Sequence, residues 1–73
     1  MTTKELKDRV SVSLTTMYGH YKVRIKYRGK EYSCITTDSL SYDAIKWHDE
    51  DEKTERQALL SLYNECKRKN DLR

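Results

Sequence analysis

A row of basic side chains is the feature of this sequence that is best suited to chemistry. Bases occupy alternate positions over residues 22–30, with no acid among them: Lys22, Arg24, Lys26, Arg28 and Lys30. Alternate side chains of a strand share one face and stand about 7 Å apart, which is close to the spacing of successive phosphates along a nucleic-acid strand. Such a row would neutralise several phosphates and bind in a salt-dependent way. We therefore expect a nucleic-acid-binding surface here, extended near the C-terminus by Lys67, Arg68 and Lys69.

The competing explanation for the row of bases is that a charged sheet face serves only the solubility of the protein. Such a face needs charges, and lysines on a hairpin discourage edge-to-edge pairing. Five bases without one acid are unusual for solubility alone, so both explanations stay open. Tyrosines alternate with the bases and are expected on the opposite face, which argues against base stacking. Contact with the phosphates of a duplex is then favoured over the recognition of single-stranded bases.

The acids are concentrated in a different segment. Residues 38–52 carry six acids against the single base Lys46. Three neighbouring side chains of this segment could together ligate a divalent cation: His48, Asp49 and Asp51. No glycine-bearing loop of the EF-hand type surrounds them, so we expect a solvated loop and no metal. This acidic loop with Tyr42 and Trp47, or the edge of the sheet, is the alternative contact surface for a protein partner.

Nothing in the sequence indicates an enzyme. It contains no nucleophile elbow, no phosphate-binding loop and no HExxH zinc motif. Cys34 is expected on the core side of a strand and Cys66 on the apolar stripe of a helix, so neither is expected as an exposed thiolate. We expect no catalytic residue, no cofactor and no small-molecule substrate.

Size and composition indicate one small α+β domain that spans residues 1–73. A length of 73 residues is near the lower limit for a core that holds without disulfides or metals, and 37% of the residues are charged and 36% apolar. The N-terminus lacks the apolar segment of a signal peptide, and no apolar run approaches the length of a membrane span. We therefore expect a cytoplasmic protein without membrane contact, whose two thiols stay reduced.

The first half of the chain predicts a short helix and two strands. Thr2 stands three residues before Glu5, as in a capping box, and a short helix would run from there to about Asp8. Residues 10–16 alternate apolar and polar side chains, which favours a strand, although a continued helix also fits the spacing of their apolar residues. Residues 21–28 give the clearest strand pattern of the sequence.

A tight hairpin is predicted after this second strand. Gly29 and Lys30 would form a two-residue type II′ turn, which favours glycine at its first central position. The register would then pair Arg28 with Glu31 and Tyr27 with Tyr32. The core side would carry Val23, Ile25, Tyr27, Tyr32, Cys34 and Thr36. The opposite side would carry Lys22, Arg24, Lys26 and Arg28 with Ser33, Ile35 and Thr37.

The second half predicts two helices. Asp38 or Ser39 would cap a short helix that continues to Trp47. Thr54 and Gln57 have the spacing of a second capping box and would start the main helix. Its apolar stripe has helical spacing and consists of Leu59, Leu62, Tyr63 and Cys66.

The sequence also indicates that the main helix ends near Asn70. Bases in its last turn suit the helix dipole, and Asn70 stands where a C-terminal cap is expected. The predicted fold class is therefore α+β: a three-stranded antiparallel meander packed on a C-terminal helix, with a short helix before it and a possible short N-terminal helix.

Three segments of the chain carry a resemblance: Gly19-His20-Tyr21-Lys22-Val23, Tyr27-Arg28-Gly29-Lys30-Glu31-Tyr32 and Asn64-Glu65-Cys66-Lys67-Arg68-Lys69-Asn70. They resemble segments of small uncharacterised proteins from phages and mobile elements of anaerobic gut bacteria. The resemblance implies a cytoplasmic context and no particular activity.

The order of elements carries a second resemblance. The order α-β-β-β-α is similar to that of double-stranded-RNA-binding domains, and β-β-β-α is similar to the sheet-in-groove DNA-binding domains of some integrases. The RNA-binding family starts its last helix with lysines, whereas this helix would start Thr54-Glu55-Arg56-Gln57 and carries its basic cluster at the other end. The resemblance therefore concerns architecture and assigns no functional residue.

These observations lead to two functional hypotheses. The first is a non-enzymatic, nucleic-acid-associated module whose phosphate contacts are the bases of the hairpin and of the last helical turn. The alternative is a protein-interaction regulator encoded by a phage or mobile element, acting through the acidic loop or the sheet edge.

Overall fold

Three helices and three strands make up the described part of the protein. The computed structural model describes residues 2–47 and 52–72. The elements follow in the order α1 (Thr3–Arg9), β1 (Val10–Leu14), β2 (Tyr21–Tyr27), β3 (Lys30–Thr36), α2 (Ser39–Trp47) and α3 (Glu52–Lys69). The strands form one antiparallel sheet in the order β1-β2-β3, so the predicted α+β architecture, including the N-terminal helix, is confirmed.

The N-terminal helix is short because a strand pattern follows it directly. The Thr2 hydroxyl accepts a hydrogen bond from the backbone N–H of Glu5 at 3.2 Å, which confirms the first capping box. The backbone N–H of Val10 still bonds to the carbonyl of Leu6, but Val10 itself is already extended. From there, alternating valines and serines form β1, and the strand is the correct choice for this segment.

The hairpin between β2 and β3 turns one residue earlier than predicted. Arg28 and Gly29 are its central residues, with φ angles of 50° and 78°, and Tyr27 pairs with Lys30 and not with Tyr32. Positive φ at both central positions is typical of a type I′ turn, whose twist matches that of the strands. The predicted Gly29-Lys30 turn is therefore wrong, and each predicted pair is displaced by two residues. A displacement of two leaves the side chains within the strands on their predicted faces, whereas Arg28, predicted on the open face, lies in the turn.

The core lies between one face of the sheet and the helices. Its buried cluster consists of Leu6, Val10, Val23, Ile25, Leu59, Leu62, Tyr63 and Cys66. The predicted apolar stripe of α3 is thus buried as a whole. Tyr27, Tyr32 and Cys34 pack against this cluster while partly buried, and Thr36 is buried, which confirms the predicted core side of the hairpin.

The capping residues in the sequence predict the beginning of α2 correctly and the beginning of α3 incorrectly. Asp38 caps α2, since its carboxylate accepts hydrogen bonds from the backbone N–H and the hydroxyl of Ser41 at 3.1 and 2.7 Å. In contrast, α3 begins at Glu52, and Thr54 lies exposed in its first turn. The predicted second capping box is wrong, because the residues ahead of Thr54, Glu52 and Lys53, are good helix formers and extend the helix.

The C-terminal end of α3 is a Schellman motif. The backbone N–H of Leu72 donates to the carbonyl of Lys67 at 2.8 Å, and that of Asp71 donates to the carbonyl of Arg68 at 3.1 Å. Asp71 takes the left-handed conformation, with φ 57°. Asn70, the predicted cap, is the residue just before it, and its side chain makes contacts of its own, described below.

Candidate nucleic-acid interface

The sheet face that points away from the helices carries three of the predicted bases. Lys22, Arg24 and Lys26 point to it from β2, because the residues between them, Val23 and Ile25, point into the core. Arg24 and Lys26 are exposed and Lys22 is half-buried. The alternation therefore predicts this part of the surface correctly.

Small hydroxyl side chains flank these bases. Arg24 pairs across the sheet with Ser11 of β1 and Ser33 of β3, and Lys22 pairs with Ser13 of β1. Because paired residues share a face, the long basic side chains stand above short neighbours. On the β3 side, however, Lys22 pairs with Ile35, a large side chain that is 44% exposed on the same face, so the short neighbours surround Arg24 and only one side of Lys22.

One acid lies on the same face. Glu31 of β3 pairs with Lys26, and both side chains are exposed. Because paired residues share a face, the carboxylate lowers the positive potential at this end of the row. The open face is therefore less basic than the sequence alone indicates.

The other two bases of the predicted row lie elsewhere. The guanidinium carbon of Arg28 lies 5.3 Å from the centroid of the Tyr27 ring, a cation–π distance. Lys30 pairs with Tyr27 and so belongs to the helix side of the sheet. The cause is the type I′ turn, which takes Arg28 out of the strand and starts the alternation of β3 at Lys30.

Of the C-terminal bases, Lys67 lies on the helix side of the sheet. Its ammonium group is 5.0 Å from the ring centroid of Tyr27 and 5.5 Å from that of Tyr63. Arg68, the next residue, is exposed. The structure does not bring Lys67 together with the bases on the open face, because the sheet lies between them.

The end of α3 covers the outer edge of β3. The ammonium group of Lys69 donates to the carbonyl of Ile35 at 2.6 Å, and the side-chain amide of Asn70 donates to the carbonyl of Ser33 at 3.1 Å. These partners are 34 and 37 residues apart in sequence, so no local pattern could have indicated the contact. Lys69, a predicted phosphate contact, therefore also binds the sheet edge.

A shallow cleft at the hairpin end adds a base that the sequence pattern did not single out. Arg9, the last residue of α1, lines this cleft together with Lys26 and Arg28. Asp8 and the rings of Tyr27 and Tyr63 line it as well. Because three bases face one acid here, this end of the molecule can hold an anion beside the open face.

The two cysteines do not form a disulfide. Cys66 is fully buried and Cys34 is half-buried, so the predicted core position holds fully for Cys66 and partly for Cys34. The pKa of Cys66 is raised from 9.0 to about 12, mainly by burial and to a smaller extent by the neighbouring Cys34 thiol. At neutral pH Cys66 is therefore protonated and is a poor nucleophile.

The surface proposed for a protein partner is only partly described. Residues 48–51, with His48, Asp49 and Asp51 of the predicted acidic loop, lie outside the described residues. The ring of Tyr42 is buried and stacks on that of Tyr21 at a centroid distance of 4.2 Å, so it is not free to bind a partner. Trp47, at the end of α2, is 67% exposed.

Metal sites, membrane spans and known proteins assign no role to the described residues. Within residues 2–47 and 52–72, no three His, Cys, Asp or Glu side chains are grouped to hold a metal ion. No helix in these ranges has the length and the apolar composition that crossing a membrane requires. No protein-family model matches the chain, and no curated protein and no solved structure is significantly similar to it.

Proposed function

We propose that the protein is a non-enzymatic module that binds duplex nucleic acid by contacting its phosphates with the open face of its sheet. The observation that supports this most is the row of Lys22, Arg24 and Lys26 on a face against which no described helix packs. Phosphate contacts supply most of the affinity of such proteins and position them on the duplex.

The neighbours of the row suit phosphate contact. Ser11, Ser13 and Ser33 surround the bases, and serine hydroxyls donate hydrogen bonds to phosphate oxygens. At the hairpin end, Arg9 and Arg28 beside Lys26 would extend the row to a second group of phosphates.

The distribution of aromatic side chains supports a duplex over a single strand. Proteins that hold single strands stack the bases on exposed aromatic rings. Here the tyrosines of both hairpin strands, Tyr21, Tyr27 and Tyr32, lie on the helix side of the sheet. The strand positions of the open face carry bases, hydroxyls, Glu31 and Ile35, and no aromatic ring. A sheet without such rings suits phosphate contact, and two-stranded ribbons and sheets fit into the grooves of a duplex.

The salt dependence of binding tests this proposal. Affinities for duplex DNA, duplex RNA and single strands would be titrated at several salt concentrations. Each phosphate neutralised on duplex DNA lowers log affinity against log salt by about 0.9, so three contacts predict a slope of roughly −3. The double substitution of Arg24→Gln and Lys26→Gln should reduce that slope by about two units, to the same extent for all sequences.

A charge-matched variant separates local contact from net charge. Lys53 and Arg56 are exposed on α3, and replacing both by Gln removes as much charge as the sheet-face variant. This control should leave the slope unchanged. The proposal fails if the wild-type protein does not bind a duplex at low salt, or if both double variants change the slope equally.

The second candidate function is that of a protein-interaction regulator, as phages and mobile elements encode. The observation that favours it is the exposure of large apolar side chains on α2, where Leu40 is 83% and Trp47 is 67% exposed. Exposed apolar groups of this size are typical of partner contacts when they are adjacent. If the protein shows no salt-dependent duplex binding, replacing Trp47 by Ala and measuring partner capture becomes the relevant experiment.

A further inference from the structure

The two cysteines of the chain meet where α3 packs on β3. Cys34 pairs with the fully buried Val23, and because paired residues share a face, its side chain points to the core, against which it packs. Cys66 belongs to the buried cluster of that core. Burial is the largest cause of the raised pKa of Cys66, and the next causes are a hydrogen bond and a charge interaction with the Cys34 thiol. The two thiols are therefore neighbours.

A contact that does not involve the Cys34 thiol brings the same two segments together. The side-chain nitrogen of Asn70, Nδ2, lies 3.1 Å from the carbonyl oxygen of Ser33, the residue before Cys34. The same nitrogen lies 2.9 Å from the carbonyl oxygen of Cys66 and 3.5 Å from its Sγ. The last turns of α3 are thus held against the part of β3 that carries Cys34.

We propose that Cys34 and Cys66 are a redox-sensitive pair, which a low-molecular-weight disulfide such as oxidised glutathione converts into an intramolecular disulfide bond between β3 and α3. The half-buried Cys34 is the thiol that such a reagent reaches, because Cys66 is fully buried. Cys66 is then the thiol that completes the bond from inside the core.

The reaction consists of two thiol–disulfide exchange steps. The Cys34 sulfur, as a thiolate, attacks one sulfur of oxidised glutathione, whose S–S bond breaks, and the first glutathione leaves and takes up the proton that Cys34 lost. The Cys66 sulfur then attacks the Cys34 sulfur of the mixed disulfide, and the second glutathione leaves with the proton of Cys66. Two electrons pass from the protein thiols to the reagent. The second step is the slower one, because Cys66 keeps its proton at neutral pH.

The bond would be a reversible staple in a small domain. A chain of 73 residues is near the size at which folds depend on disulfides, metals or very well packed cores. Closing the segment from Cys34 to Cys66 restricts the unfolded chain, which raises the free energy of unfolding. The stability of the protein would then follow the redox state of its surroundings, whether or not it binds nucleic acid.

Intact-mass measurements in glutathione redox buffers test the proposal without nucleic acid. The native wild-type protein should end as a monomer that has lost two hydrogen atoms and carries no glutathione, and dithiothreitol should restore both thiols. The urea-unfolded chain should reach half-oxidation only when the ratio of oxidised glutathione to the square of reduced glutathione is at least about tenfold higher, because the native fold already holds the thiols together. The oxidised protein should also unfold at a higher urea concentration than the reduced protein.

Two single variants test the order of the steps. Cys66→Ala should stop at the mixed disulfide of Cys34 with glutathione, and Cys34→Ser should carry no glutathione while it is folded. The decisive comparison uses the wild-type chain, so it stands even if Cys66→Ala does not fold. The proposal is overturned if the native wild-type protein ends with free thiols, as a mixed disulfide or as a disulfide-linked dimer, or if native and unfolded chains are half-oxidised at the same ratio.

Discussion

The side-chain amide of Asn70 donates a hydrogen bond to the backbone carbonyl of Ser33 at 3.1 Å. The same amide donates to the carbonyl of Cys66 at 2.9 Å, so one side chain joins the last turn of α3 to the outer edge of β3. This contact closes part of the outer edge of β3. It also fixes the helix end above the strand that carries Cys34.

Asn70→Ala should destabilise the fold although Asn70 lies at a helix end near the surface. The substitution removes donors from two carbonyl groups, and each lost hydrogen bond of this kind contributes about 0.5–1.5 kcal/mol. We expect the free energy of unfolding to fall by roughly 1–3 kcal/mol, measured by urea denaturation. Asn64→Ala, at an exposed position in the middle of α3, is the control. Equal effects of the two substitutions would show that the edge contact does not stabilise the protein.

The stacked rings of Tyr21 and Tyr42 should be energetically coupled. They connect the start of β2 to α2 at a centroid distance of 4.2 Å, and aromatic pairs of this kind contribute about 0.5–1.5 kcal/mol beyond their buried area. A double-mutant cycle with Tyr21→Leu and Tyr42→Leu should recover a coupling free energy in that range. The same cycle with Tyr18→Leu in place of Tyr21→Leu should give none, because Tyr18 is fully exposed.

The elements that carry a strong local pattern could be predicted from the sequence. Alternation placed Val23 and Ile25 in the core and Arg24 on the open face, and helical spacing placed Leu59 and Leu62 in the core. These assignments depend only on the period of the pattern. They survive a two-residue error in register, because side chains alternate with period two.

The details that depend on a single backbone angle or on distant contacts could not be predicted. Glycine marks the hairpin, but Gly29 fits either central position, and nothing in the sequence indicates that Arg28 accepts a φ of 50°. The contacts of Lys67 and Lys69 with the sheet arise only when α3 packs on it. A row and a cluster of bases that look alike in sequence therefore end on different sides of the sheet.

The hairpin turn should tolerate asparagine at position 28. Asparagine adopts positive φ at less cost than other residues, and Asn-Gly is a preferred type I′ pair. Arg28→Asn should therefore leave the free energy of unfolding unchanged or raise it by up to about 1 kcal/mol. Lys26→Asn, within β2, should lower it by up to about 1 kcal/mol. If Arg28 lay in a regular strand, Arg28→Asn and Lys26→Asn would lower the free energy of unfolding by similar amounts.

The thiol of Cys66 should make the stability fall at high pH. Its pKa is about 12 in the folded protein against 9.0 as the ordinary value, so the folded state keeps a proton that the unfolded state loses. Between these pH values the unfolded state binds fewer protons, and the free energy of unfolding decreases as pH rises. This one group contributes up to about 1.4 kcal/mol per pH unit within the window, and nothing well below pH 9.

Comparison with Cys66→Ala isolates the contribution of this thiol, because the other titratable groups are the same in both proteins. The variant is expected to be less stable at neutral pH, because it leaves a cavity in the core, but its stability should fall less steeply above pH 9. The same burial predicts that a thiol reagent labels Cys34, which is half-buried, well before Cys66. Parallel stability curves of the wild type and the variant above pH 9, together with rapid labelling of Cys66 in the native state, would show that the thiol is not held protonated by the core.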